Sequence, residues 1–166
     1  MNMPPLSPEE RQTLLKRLET ANGYLGLGMH QEAWGELEDV PAEQQALPEA
    51  LKVRVDACLF MKKWHHLAEV TSQLVNLEPD DPRHIHNFAM AVREIEGERA
   101  AVDILERARD TFPQDAGLAY NLACYRSVLG NVEEAKELLK QALELDPDLQ
   151  ETATDDPDLV KVWESL

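Results

Sequence analysis

The sequence predicts an all-α fold, a solenoid of about four helical hairpins followed by a C-terminal capping helix. Three observations predict it. Small and apolar residues return at the same positions every thirty-four residues, prolines close successive blocks at one spacing, and helix-start signals recur throughout. Patterns typical of strands do not occur. Self-similarity at this period is typical of stacked repeats, in which no unit buries its apolar face alone.

The predicted repeats cover 14–47, 48–81, 82–115 and 116–149. One position of each block holds a residue that we expect at the contact between two helices: Ala33, Leu67, Ala101 and Ala135. A second such position holds Ala21, Val55, Ala89 and Ala123, and the last three blocks close with Pro79, Pro113 and Pro147. We therefore predict a single repeat domain over residues 7–149.

The helix signals follow the chain in order. Residues 1–6 are predicted to be a disordered tail, and Ser7-Pro8-Glu9-Glu10 carries the serine cap, proline and glutamate of a helix start. Pro41 should end the second helix of the first block early. Asp81 and Asp115 are predicted to cap the helices that begin the third and fourth blocks.

The last segment, 155–166, is predicted to form the capping helix. Asp156 supplies a start signal, and four apolar residues fall on one helical stripe: Leu159, Val162, Trp163 and Leu166. The last repeat of a stack exposes an apolar face that must be covered. We expect this helix to cover it, with Trp163 as the anchor. A helix that docks onto a partner is the alternative.

Composition limits the classes of partner. The chain has 32 acidic and 16 basic residues and a net charge of −16, which argues against binding to nucleic acid or to an anionic membrane. The sequence lacks a signal-peptide pattern at its start and an apolar stretch of membrane-spanning length. Cys58 and Cys124 stand two blocks apart, too far for a disulfide in a helical stack. We expect free thiols and a cytoplasmic location.

The fourth block resembles a tetratricopeptide repeat. The resemblance rests on Tyr120-Asn121-Leu122-Ala123, on Leu129-Gly130-Asn131-Val132-Glu133-Glu134-Ala135 and on the run from Gln141 to Pro147. The third block is similar to the family, the second is looser and the first diverges. The resemblance implies a right-handed superhelix in which the first helix of each hairpin lines a concave groove. It also implies a non-enzymatic protein–protein interaction module, an adaptor or scaffold that binds a peptide segment of a partner.

The resemblance also identifies the groove positions. The candidate peptide-binding residues are Lys52, Phe60, Arg83, His86, Asn87, Met90, Arg93, Tyr120 and Asn121. Cations beside adaptable apolar side chains suit a protein or peptide partner with acidic and apolar side chains. The alternative is that these cations pair with acidic residues of the chain itself, such as Asp56 and Glu94.

One sub-family grips the terminal carboxylate of chaperone tails, and this sequence departs from its pattern. Lys52 and Asn87 match two of its positions. Asp56 stands where an asparagine is expected, Gly117 where a second lysine is expected, and Asn121 where an arginine is expected. Because an aspartate would repel the carboxylate, such a clamp is disfavoured.

Catalysis, cofactors and metals are not expected. His65-His66 begins a second helix and His84-x-His86 begins the following first helix, so the two pairs should lie at opposite ends of antiparallel helices, roughly 15 Å apart. No phosphate-binding loop, nucleophile elbow or zinc motif occurs.

Two further functions stay open at this point. One is a chaperone that holds an apolar client segment, similar to the tetratricopeptide chaperones of bacterial secretion. The other is self-association through the convex face or the C-terminal helix. The identity of the partner, the pathway and the oligomeric state do not follow from the sequence.

Overall fold

The computed structural model describes residues 5–165, which form α-helices, one 3-10 helix and connecting turns, with no strand among them. The chain divides into two compact units, unit 1 (residues 1–79) and unit 2 (residues 80–166). The division falls near the junction of the second and third predicted blocks. Each unit holds two helical hairpins, and unit 2 also holds the C-terminal segment.

Unit 1 contains α1 (Pro8–Gly26), α2 (His30–Glu38), α3 (Pro48–Met61) and α4 (Trp64–Leu77). Helices α1 and α2 pack as one hairpin and α3 and α4 as the next, while α3 also packs on both helices of the first hairpin. The predicted start signal forms a capping box, in which Glu10 N donates to Ser7 Oγ at 3.2 Å and Ser7 N donates to Glu10 Oε2 at 2.8 Å. As predicted, α2 ends before Pro41.

Unit 2 contains α5 (Pro82–Glu96), α6 (Glu98–Arg109), α7 (Ala116–Val128) and α8 (Val132–Leu145). The C-terminal segment then forms α9 (Leu149–Asp155), a 3-10 helix (Pro157–Leu159) and α10 (Val160–Trp163). Helices α5 and α6 form a hairpin, as do α7 and α8, and α6 packs against α7. The 3-10 helix packs on α7, and α10 packs on α8. Asp81 and Asp115 cap α5 and α7, as predicted.

The repeat positions predicted to lie between helices are buried. The side chains at the first such position, Ala33, Leu67, Ala101 and Ala135, are all fully buried. The second position is also buried in every block. Small residues there allow the two helices of a hairpin to approach closely, which is why the thirty-four-residue register appears in the sequence.

The turn between the helices of a hairpin requires a left-handed residue. Gly130 supplies it in the fourth block with φ 87°. The second block has Lys62 at the same position, with φ 52°. A residue with a Cβ is strained in that conformation, so Lys62 destabilises the turn of the second block relative to a glycine.

The C-terminal segment differs from the predicted helix over 155–166. The helix before it, α9, was not predicted. Asp156, with ψ 117°, caps the helical stretch that begins at Pro157, as its start signal predicted. This stretch is a 3-10 helix to Leu159 and then α10 to Trp163, and it is shorter than the predicted helix because Asp155 belongs to α9. Leu166 lies outside the described residues, as do residues 1–4 of the predicted disordered tail; Leu6 packs against the core of unit 1.

Candidate functional site

In unit 1, the first helix α3 carries two of the predicted groove residues, Lys52 and Phe60, and its surface around them is called the first-helix face of unit 1. Lys52 Nζ lies 2.8 Å from Glu78 Oε1, and its side chain is 46% exposed. Phe60 is 58% exposed, and its ring stacks on His30 with the centroids 4.9 Å apart. This face therefore presents a large apolar ring, held in place by a second ring, and a cation that already has an acidic partner.

In unit 1, two cationic side chains lie over the Trp34 ring, a contact that the sequence did not indicate. Lys63 Nζ lies 4.4 Å from the ring centroid, and Arg54 Cζ lies 5.8 Å from it. His66 meets the ring edge-on at 5.5 Å. Trp34 is partly buried against the core of unit 1, and the neighbouring cations contribute cation–π contacts to its ring.

The first-helix face of unit 2 is formed by α5 and α7, and it begins with Arg83. The Arg83 guanidinium holds both oxygens of Asp81, with Nη2 2.6 Å from Oδ2, while the backbone N of Arg83 donates to Oδ1 at 3.0 Å. These hydrogen bonds from Arg83 lower the pKa of Asp81 to about 2. His84 Nε2 lies 3.7 Å from the same carboxylate. The arginine side chain is 79% exposed beyond this contact.

His86 and Asn121, two predicted groove residues, touch each other in unit 2. Asn121 Nδ2 lies 3.0 Å from His86 Nδ1, and His86 Nε2 lies 3.0 Å from Asp115 Oδ1. Because an amide nitrogen only donates, Nδ1 accepts and Nε2 carries the proton toward Asp115. His84 and His86 therefore turn to different carboxylates, Asp81 and Asp115.

Gly117 makes room for this histidine. A Cβ at Gly117 would lie 2.9 Å from His86 Cε1, closer than side-chain atoms approach. The carboxylate-clamp pattern expects a lysine at this position. Here the His86 ring occupies the space next to Gly117, and a side chain at Gly117 would displace the ring.

Arg93 and Tyr120 are joined through the C-terminal segment. Tyr120 is 9% exposed, and its hydroxyl donates to Asp156 Oδ2 at 2.6 Å. Arg93 Nη2 lies 2.8 Å from Asp158 Oδ2, while Nε donates to Glu98 Oε1 at 3.3 Å. These two groove positions are therefore covered by residues 156–158. The alternative pairing of cations with the chain's own acids occurs here, with different acids from the two that the sequence singled out.

Burial under the same segment affects nearby titratable groups. Cys124 Sγ lies 3.5 Å from Asp156 Oδ2, and burial raises the pKa of this thiol. Burial, together with the hydrogen bond to Asp156, raises the pKa of Tyr120. Burial also raises the pKa of Tyr125 to about 12. These groups belong to the packed interior of unit 2.

The remaining predicted site residues lie apart from these contacts. Met90 is exposed and Asn87 is half-buried on α5. Trp163, the predicted anchor, is partly buried, and its Nε1 donates to Ala153 O at 2.8 Å. Leu159 and Val162 of the same segment are fully buried. A cavity of about 480 Å³ lies beside Trp163, with Leu139, Leu143 and Lys140 of α8 in its wall.

The sequence did not indicate the contacts that four residues make on the first-helix face of unit 2: Asp115, Gly117, Asp156 and Asp158. Asp115 and Asp156 were read only as helix caps. The Asp-Pro-Asp spacing is visible in the sequence, but nothing in it says that these carboxylates turn back onto α5 and α7. In the part of the chain that the structure describes, no helix is long and apolar enough to cross a membrane.

Comparison with known proteins agrees with this architecture. Residues 99–154 match the sequence profile described as tetratricopeptide repeat. No curated protein matches the chain in sequence. Solved structures that are similar in fold include the following three. MamA (41–end) from Desulfovibrio magneticus RS-1 is 19% identical over 96% of each chain, with a TM-score of 0.68.

The second is the thermophilic TPR protein TTC0263 of Thermus thermophilus. It is 22% identical over 91% of this chain and 81% of its own, with a TM-score of 0.69. The third, YrrB, is described as a TPR protein with an unusual peptide-binding site. It is 10% identical over 89% of this chain and 81% of its own, with a TM-score of 0.62. The predicted fold class and the family resemblance are confirmed, and repeats of this kind are generally non-enzymatic modules for binding proteins.

Proposed function

We propose that this tetratricopeptide-repeat chain is a non-enzymatic adaptor or scaffold that binds a segment of a protein partner through its first-helix faces. The observation that carries the proposal is Phe60, a groove position on α3 whose ring is 58% exposed. Covering such a ring contributes about 1.5–3 kcal/mol, so it is a strong candidate for the centre of a binding surface.

The contacts of Phe60 favour recognition over chance exposure. Its ring stacks on His30, which limits the conformations that the ring samples. A ring that is already ordered loses little entropy when a partner covers it. Lys52 lies about two helical turns earlier on α3 and binds the Glu78 carboxylate. A partner carboxylate would have to displace Glu78 from Lys52, so the exposed Phe60 ring carries the proposal.

The groups with perturbed pKa values support binding as the function rather than catalysis. Burial raises the pKa of Cys124 and Tyr120, and both side chains lie beneath Asp156. The pKa of Asp81 is lowered first by hydrogen bonds from the Arg83 guanidinium and less by the backbone N of Arg83, which Asp81 binds as a helix cap. Each shift follows from packing or capping, which is the structural source of such shifts.

The test is partner capture with matched surface variants. We expect Phe60→Ser to lose the partners that the unaltered chain retains from native lysate. The control is Leu77→Ser, which removes a side chain of similar exposure (52%) from α4, a second helix outside the groove positions. Retention of the same partners by Phe60→Ser at unchanged helicity would contradict the proposal, as would equal loss by both variants.

The same variants separate an adaptor from a chaperone. If the chain is a chaperone, a captured client should be insoluble when it is produced alone and soluble when it is co-expressed with this chain. A partner that is soluble by itself and still depends on Phe60 supports the adaptor.

A further inference from the structure

We infer that the first-helix face of unit 2 recognises an acidic segment of the form Asp-x-Asp-Leu, and that residues 156–159 occupy this face as an internal competitor for a partner segment of the same chemistry. The inference rests on the proposed function and names the partner's chemical class. It starts from the C-terminal segment, which contacts two predicted groove residues, Arg93 and Tyr120.

The first acidic position is recognised by α7. Asp156 Oδ2 accepts the hydroxyl of Tyr120 at 2.6 Å and lies 3.5 Å from Cys124 Sγ. Its other oxygen, Oδ1, accepts the backbone N of Asp158 at 2.9 Å, which begins the 3-10 helix. One carboxylate thus binds the face and also sets the bend that delivers the second carboxylate.

The second acidic position is recognised by α5. Arg93 Nη2 lies 2.8 Å from Asp158 Oδ2. The guanidinium is held in place by two further groups, with Cζ 4.9 Å from the centroid of the Tyr125 ring and Nε bonded to Glu98. Because the cation is already oriented, a carboxylate that arrives at the position of Asp158 finds a formed site.

The apolar position is Leu159, which is fully buried in the core of unit 2. Pro157 keeps the chain extended before the turn, so two carboxylates and one leucine reach the face within four residues. Any partner segment that presents these groups at the same spacing makes the same contacts.

The occupying segment is short. Its 3-10 helix of three residues and α10 of four are together shorter than an isolated helix needs for stability. The segment therefore depends on its contacts with α5, α7 and α8, and such short terminal elements open locally before a domain unfolds. Because it is tethered through α9, its effective concentration at the face is on the order of millimolar. A partner must outcompete it, so weakening the segment should raise partner affinity.

The experiment measures binding of a fluorescent peptide with the sequence of residues 154–165 to the full chain by fluorescence anisotropy. We expect weak binding to the unaltered chain and about tenfold tighter binding to Asp156→Ala/Asp158→Ala. The matched control is Asp155→Ala, which removes an exposed carboxylate from the same segment and should leave affinity unchanged.

A second pair of variants tests the receptor. In the Asp156→Ala/Asp158→Ala chain, adding Arg93→Gln should weaken peptide binding about fivefold, whereas adding Arg99→Gln, an exposed arginine on α6, should not change it. If the double variant loses helicity, Asp158→Ala alone keeps the Asp156 contacts and should raise affinity about threefold.

Equal affinity of all these chains for the peptide, or no binding to any of them, would overturn the inference. A dimer of the unaltered chain that dissociates in the double variant would also overturn it, because a second copy would then be the occupant. Such a failure leaves the proposed function standing if partner capture still depends on Phe60, and the two outcomes are thereby distinguished.

Discussion

One position of the repeat is exposed in unit 1 and buried in unit 2. Lys52 of unit 1 and Tyr120 of unit 2 stand at equivalent places in their blocks. Lys52 is 46% exposed and pairs with Glu78 from the end of its own hairpin. Tyr120 is 9% exposed and pairs with Asp156 from beyond the last repeat. Each is met by a carboxylate that follows it in the chain, but only the second is covered.

The difference shows that repeat register decides which positions belong to the first-helix face, while the chain that follows decides whether they stay accessible. In unit 1, α4 ends near the face and leaves Phe60 exposed. In unit 2, the C-terminal segment turns back and places Leu159 in the core. We therefore interpret α3 as a face that meets partners directly and α5 with α7 as a face under internal competition.

The largest expected effect is on the free energy of unfolding, and it distinguishes Leu159 of unit 2 from Phe60 of unit 1. Leu159→Ala removes a fully buried side chain and should lower the free energy of unfolding by about 2–5 kcal/mol. Phe60→Ala removes an exposed ring and should change it by about 0.5 kcal/mol or less. Denaturant unfolding followed by circular dichroism measures both. A loss for Leu159→Ala no larger than that for Phe60→Ala would mean that the C-terminal segment does not pack stably on unit 2.

A smaller effect concerns how the first helices begin. Helix α5 is capped by Asp81, whereas α3 follows Leu47 without a side-chain cap. Because the pKa of Asp81 is lowered to about 2, its charge stabilises the fold above its ordinary value of 3.8, and this contribution disappears as the pH falls through about 2.

Asp81→Asn keeps the cap but removes the charge. We expect it to cost less than about 1 kcal/mol at pH 7, since Arg83 is largely exposed, and nothing near pH 2. The measurement is the difference in unfolding midpoint between the two chains across this range. A difference that stays constant with pH would show that the carboxylate charge contributes nothing.

The sequence was sufficient for the fold because the fold is repetitive. Positions such as Ala33 and Ala135 carry a packing constraint that recurs in every block, so four copies identify it. The C-terminal segment has no second copy for comparison. Its apolar stripe predicted burial of Leu159 and Val162, which is observed, but the stripe does not show that Asp156 contacts Tyr120 and Asp158 contacts Arg93.

The candidate site was less predictable because it depends on contacts between side chains distant in the chain. Arg93 and Tyr120 were expected on the groove, and the register alone does not show that a third element bridges them. In the sequence, Gly117 stands where the clamp pattern expects a lysine. In the structure, the absence of a side chain at Gly117 leaves room for the His86 ring. The assignment of the nine groove residues to peptide binding stays a prediction.

Thiol labelling tests the central claim, that residues 156–159 cover the unit 2 face reversibly, because each unit holds one buried free cysteine. Cys124 lies beneath Asp156, and Cys58 in α3 serves as the internal reference. In Arg93→Gln, loss of about 1 kcal/mol of contact with Asp158 should raise the open population, and hence labelling of Cys124, roughly fivefold. Labelling of Cys58 should not change, and Arg99→Gln should behave like the unaltered chain.

Faster labelling of Cys124 alone is the result that we predict. Slower or unchanged labelling of Cys124, or equal acceleration of both thiols, would contradict it.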